Sequence, residues 1–235
     1  MTELVFHDFR EAADFERALR ARDAVPFRKI ELDLLLADAA LAAPVEGLDV
    51  ARLFSFSRER GFDLFIHLVD GSAFTDRSLA FLRERLAAEG RLGDGTIIGS
   101  THLLGLLRVK EVLPEVRNQG RFPVPGIRYV HKFGPDLLSA VAGDPAAFSG
   151  TATALEALFD VAIPPANRAA YDAMALIASF DAIDKRSGEP FPLAGYAAGA
   201  ERLARLPVLD LLITNGLKRE DALPVLSRIG FRAPR

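Results

Sequence analysis

The chain contains no cysteine and no tryptophan in 235 residues. The first absence rules out disulfides, thiolate metal sites and a cysteine nucleophile, and leaves the redox compartment unread. Neither sign of charge dominates. Lys and Arg number 29 against 32 Asp and Glu, for a net charge of −3 and a pI near 5.9. Such a balance offers no electrostatic attraction to nucleic acid or to an anionic membrane, and neither is expected as a partner. No apolar run reaches the ~18 residues that suggest a membrane span. The N-terminal stretch MTELVFHDFREAADF has no basic region leading into an apolar run. A secretion signal is therefore not expected, and a cytoplasmic setting is.

Common motifs are missing as well. There is no G-x-G-x-x-G after a strand, no P-loop, no G-x-S-x-G elbow and no H-E-x-x-H pair. GSTHLLG falls short of an elbow because its Ser follows Gly directly. Glycine-rich dinucleotide binding is not expected, although a phosphate can still sit on a helix N-terminus such as the one after Asn215-Gly216-Leu217. No internal repeat or low-complexity segment stands out.

Half of the residues are hydrophobic and 26% are charged, as in ordinary globular proteins. The 17 Phe point to a large apolar core or to a buried interface. The clearest stretch is Gly61–Gly90. Phe62–Val69 is an apolar run with one His, bounded by turn signals, as a strand buried on both faces reads. Thr75 can cap a following helix, with Asp76 in its first turn. Leu79, Leu82 and Leu86 give that helix one apolar stripe, and Gly90 stops it. Strand, turn and helix in this order form the repeating unit of a parallel sheet.

The rest of the chain varies that unit. Glu3–Phe6 reads as a strand ending in His7-Asp8, and Arg10–Arg22 as a helix stopped by Pro26. Phe27–Leu36 is ambiguous and is read as a strand first, with a helix over Leu34–Leu41. Leu48–Arg60 is a helix, Thr96–Ser100 a strand, and Leu103–Val116 a helix interrupted by Pro114. The segment RNQGRFPVPG reads as a loop before a strand at Ile127–Val130. From there the pattern is mostly helical, with Pro135–Val141, Thr151–Leu158 and Tyr196–Arg205 as helices and Asn167–Lys185 the longest. Phe159–Pro165 and Leu209–Thr214 read as strands, and Lys218–Arg228 as a closing helix. The expected fold is a single α/β domain over residues 1–235, a (β/α)8-like barrel, for which ~250 residues is typical. The alternative is an open doubly wound parallel sheet with a helical C-terminal part.

Both architectures keep their sites at the carboxyl ends of the strands. The residues there are His7-Asp8, Asp33, Asp70, Thr101-His102, His131-Lys132 and Asn215. His102 reads either as a general acid–base or as part of a helix-capping segment. Lys132 reads either as a Schiff-base former, if desolvated, or as a solvated loop lysine. His131 and Lys132 alternate, so only one of them can face a site. Asp8 and Asp70 can hold a metal together, but Asp70-Gly71 is equally ordinary turn chemistry. His67, between Ile66 and Leu68, reads as a hydrogen-bonded core histidine. Asp181-Ala182-Ile183-Asp184-Lys185 lacks the spacing of an EF-hand and reads as a helix end.

Three stretches, in order, resemble the EAL-type barrel of cyclic-di-GMP phosphodiesterases. FIHLVDGSAFTDRSLAFLRERLAAEG is similar to that family's strand and helix at its Asn-Leu-Ser motif. GIRYVHKFGPDLLSAV falls at its Asp-Asp-Phe-Gly segment and keeps Phe133-Gly134, and LLITNGLKREDALPVLSRIGF is similar to its closing strand and helix. IELDLL, with Glu31, echoes the signature Glu-Ala-Leu. The departures fall at the metal-binding positions: His67 for Asn, Gly99 for Glu, His131-Lys132 for the Asp pair, and Asn215 for the final Glu. The resemblance therefore implies a bacterial signalling barrel that holds no divalent metal or other cofactor and does not cleave the dinucleotide. It would act as a ligand sensor or an interaction domain, with Asp8, Glu31, Asp70, His131 and Asn215 as binding residues. The partner would be a cyclic dinucleotide, or a protein docked on Phe54, Phe56 or Phe148. The other reading of the same barrel is a lyase or isomerase acting on a small phosphorylated metabolite, with His102 as acid–base and Lys132 as electrophile. A third is a binding module whose polar strand ends are only turn chemistry.

Overall fold

The computed structural model describes residues 3–7, 9–38, 40–42, 47–93, 95–100, 102–121, 173–177, 210–214, 222–229 and 231. The strands are β1 (Glu3–Phe6), β2 (Lys29–Ala37), β3 (Ala40–Ala42), β4 (Asp63–Leu68), β5 (Thr96–Ser100), β6 (Arg117–Arg121), β7 (Ala173–Ile177) and β8 (Leu211–Thr214). The helices are α1 (Ala12–Ala21), α2 (Val50–Glu59), α3 (Asp76–Ala88), α4 (Leu103–Val112) and α5 (Leu223–Leu226). All strands except β3 are parallel to their neighbours, in the order β1-β8-β7-β6-β5-β4-β2, and β1 pairs again with β2. That last pairing closes the ring. The fold is a (β/α)8-like barrel, and the open-sheet alternative is excluded.

Strand alternation divides the buried residues into two sets. Val5, Phe65, Ile97, Leu211 and Ile213 form a small apolar cluster inside the ring. Leu4, Phe6, Ile30, Leu32, Leu34, Leu64, Ile66, Leu68 and Ile98 belong to the larger core, shared with the helices. Burial on both faces is why β4 reads as a continuous apolar run. The inner positions are polar at the two ends of the ring. Below the apolar cluster, Glu3, Lys29 and Asp63 start their strands. Lys29 Nζ lies 3.2 Å from Glu3 Oε1 and 3.9 Å from Asp63 Oδ2.

α3 forms where its sequence signals it. The Thr75 hydroxyl accepts from Ser78 N, Leu79, Leu82 and Leu86 are fully buried, and Gly90 leaves the helix at φ 64°. Several of the described phenylalanines pack inward. Phe27 stacks on Phe62 with centroids 5.9 Å apart, and Phe6 meets Phe27 edge-on at 4.5 Å. Phe54 is buried in this core, and Phe56 packs between Phe15 and the Arg60 guanidinium. The docking surface expected on Phe54 therefore does not exist; Phe148 lies outside the described residues.

Three expected elements differ. Leu34–Leu41 is not helical: β2 runs on to Ala37 and turns back through β3, pairing Leu35 with Ala42 and Ala37 with Ala40. The hairpin satisfies backbone groups that a Leu- and Ala-rich helix would have paired internally. RNQGR, expected as loop, is β6, held between β5 and β7; position in the ring overrides its weak strand propensity. AMALI, inside the expected helix Asn167–Lys185, is β7, because a short apolar run has no periodicity that separates the two states. The strands expected at Ile127–Val130 and Phe159–Pro165 lie outside the described residues. Among the described residues no helix is long and apolar enough to cross a membrane.

Candidate functional site

Glu31 and Asp33 are two residues apart on β2 and so share its inner face. The register of β2 with β4 then sets Asp33 beside His67 and Glu31 beside Phe65, one layer lower. Neighbouring strands are ~4.8 Å apart, so side chains in register meet without reaching. His67 Nδ1 lies 2.6 Å from Asp33 Oδ1, within hydrogen-bond distance, and 3.6 Å from Glu31 Oε1. Glu31 is 1% exposed and His67 9%, while Asp33 is open to solvent. The cluster thus runs from a buried floor to an accessible rim at the carboxyl end of the barrel.

These three residues offer one ligand atom each, all within 4.8 Å of one another. Atoms bound to one ion at about 2.0–2.6 Å can be no more than ~5 Å apart, so the set fits a single divalent cation. Two flanking features complete the site. β1 pairs Phe6 with Ile30, and the ladder continues through the His7 N–H bond to Thr214 O at 2.9 Å. That bond lies on the β8 side of β1, and strand alternation sets His7 on the face of Val5, the face that on β2 carries Glu31. Gly99, paired with His67, adds no side chain to that face.

The residues expected to form the site are distributed unevenly. Glu31 is in the cluster, as is Asp33, which was noted only as a strand-end polar residue. His67, expected as a hydrogen-bonded core histidine, is buried and within hydrogen-bond distance of Asp33, and is the third member of the cluster. The signal was available in the alternation Asp63, Phe65, His67 set beside Lys29, Glu31, Asp33. Asp70 lies in the turn after β4, exposed beside Gly71 at φ 90°, and is not part of the cluster. Asp8, Thr101, His131, Lys132 and Asn215 lie outside the described residues.

His102 is the N-cap of α4. Its Nδ1 accepts from Gly105 N at 2.8 Å, and its ring is stacked on Phe74 with centroids 5.1 Å apart. With Nδ1 accepting, the ring proton is assigned to Nε2. Replacing His102 by Ala is expected to cost about 1 kcal/mol in chemical denaturation, and by Asn, which caps as well, only a few tenths. Equal losses for the two would show that the ring's contact with Phe74, not its cap, carries the stability.

No family model matches the chain, and no curated protein matches it by sequence. Solved structures do. A phosphodiesterase of Oleispira antarctica, in complex with the product sn-glycerol-3-phosphate, is 12% identical, with 95% of this chain and 96% of that one aligned at a TM-score of 0.50. A glycerophosphodiester phosphodiesterase, so described provisionally, from Galdieria sulphuraria is 13% identical, with 95% and 98% aligned at 0.50. At such identities the likeness establishes the barrel.

Proposed function

We propose that the mouth of this barrel is a cation-dependent site for a small phosphodiester, and that the chain hydrolyses it. The observation that carries the reading is the Glu31–Asp33–His67 donor set at the carboxyl end of a barrel, where such folds keep their chemistry. The two similar structures are phosphodiesterases by description, which favours the same substrate class.

A cation held there would neutralise charge on the phosphoryl oxygens and polarise the bond to the leaving alcohol. The chain's own groups do the rest. Glu31 and Asp33 would supply the negative charge that holds the ion, with His67 as the neutral third donor. His7, on the inner face that also carries Glu31, is the group placed to give a proton to the departing alkoxide or to take one from water. The barrel wall of Val5, Phe65 and Ile97 excludes water below the site.

One further reading keeps a specific observation. Among the described residues two carboxylates and one imidazole could hold one ion, whereas two-metal cleavage of a cyclic dinucleotide needs a larger carboxylate set. That count favours a non-hydrolytic, EAL-like sensor over an EAL-type hydrolase. The test is hydrolysis of a panel of glycerophosphodiesters, bis(p-nitrophenyl) phosphate and cyclic di-GMP, with divalent ions and with chelator. Turnover of the small diesters that chelation stops and His7→Ala lowers at least ~100-fold is the expected result. Thermal stabilisation by cyclic di-GMP without turnover of any diester would replace the hydrolase with the sensor.

A further inference from the structure

We propose that this centre selects a first-row transition ion, Zn2+ or Co2+, over Mg2+ and Ca2+, and that His67 is the residue that sets the choice. The inference rests on the cation reading above and deepens it.

The first argument is donor chemistry. Mg2+ and Ca2+ are hard ions that take oxygen ligands, whereas imidazole nitrogen suits Zn2+, Co2+ and their neighbours. One of the three side chains that converge here is an imidazole, and it is not peripheral. His67 is nine-tenths buried and lies in register with Asp33, its Nδ1 within 3.6 Å of both acidic oxygens.

The second argument is number and rigidity. Ca2+ takes six to eight oxygens in a flexible cage. Here two carboxylates stand on one strand, and that strand pairs with β4 over six consecutive residues, Lys29 to Leu34. Gly99, next to His67 on β5, contributes nothing that would raise the oxygen count. Three protein ligands, the number that converges here among the described residues, is the pattern of a catalytic zinc-type site.

The test is titration calorimetry with Zn2+, Co2+, Mg2+ and Ca2+ alone, on the full chain and on three variants. Wild type should bind Zn2+ and Co2+ at least ~100-fold more tightly than Mg2+ or Ca2+. His67→Glu, which makes the donor set all oxygen, should narrow that preference to under ~10-fold or reverse it. His67→Gln, which offers an amide oxygen and adds no charge to the buried floor, should move in the same direction if His67→Glu fails to fold. Glu31→Gln should remove the Zn2+ heat, assigning it to this centre. Equal binding of Mg2+ and Zn2+ by wild type, a preference unchanged in the His67 variants, or a Zn2+ heat that survives Glu31→Gln would overturn the inference. Folded wild-type protein that binds none of the four ions would instead remove the cation reading itself.

Discussion

Glu31→Gln should reduce cation-dependent diester hydrolysis by at least ~100-fold while leaving the fold intact or slightly more stable. The two halves of that expectation have one cause. Glu31 is almost completely buried, and a carboxylate held out of water costs free energy unless its partners compensate. The amide has the same shape without the charge, so the unliganded protein loses a desolvation penalty. The bound ion loses an anionic donor, and groups one step further out than a ligand already change metal affinity 10–100-fold. Melting curves with and without divalent ion, read beside the activity, therefore carry a crossed signature. Tm without ion holds or rises, and the ion-induced increase disappears. A variant that keeps both the ion-induced increase and the activity would place the site elsewhere.

The second large effect belongs to the opposite end of the ring. Lys29→Met should destabilise the protein by about 3 kcal/mol, because it removes the ammonium that Glu3 and Asp63 face inside the barrel. Met fills much of the volume, so a cavity does not account for the loss. Asp63 keeps Arg28, whose Nε lies 3.2 Å from Oδ2, and Glu3 is buried and loses the ammonium 3.2 Å from its Oε1. Adding Glu3→Gln should therefore recover ~1–2 kcal/mol of the loss, a coupling that urea denaturation of the two single variants and the double resolves. Additive losses would mean that the ion group contributes only through packing. Diester turnover, measured well below the melting transition, should not change, since this end carries no site residue.

Those two ends of one barrel were unequally legible in the sequence. β1, β5 and α3 can be read directly, because each has its boundary signal and its burial pattern within a few residues. β4 is legible as an element, but its apolar neighbours conceal that His67 faces inward with Asp63 and Phe65. β2 is harder, because Leu34, Leu35 and Leu36 fit a helix face as well as a strand, and only the pairing of Leu35 with Ala42 decides. β6 is illegible locally: RNQGR has no apolar alternation, and its neighbours in the ring make it a strand.

The site follows the same rule. Glu31 can be singled out from its place in IELDLL, and Asp33 from its position near a strand end. Joining them to His67 requires the register of β2 with β4, which is a property of two segments 34 residues apart. His102 shows the converse. Its place after β5 reads as a catalytic position, while the structure gives its Nδ1 to the first turn of α4.

The most direct measurement is anomalous diffraction from crystals of the wild-type chain soaked in Zn2+. A single strong peak within about 2.0–2.6 Å of Glu31, Asp33 and His67 is the predicted result. Full Zn2+ occupancy elsewhere in the lattice, with no peak among these three residues, would contradict a cation site at the barrel mouth.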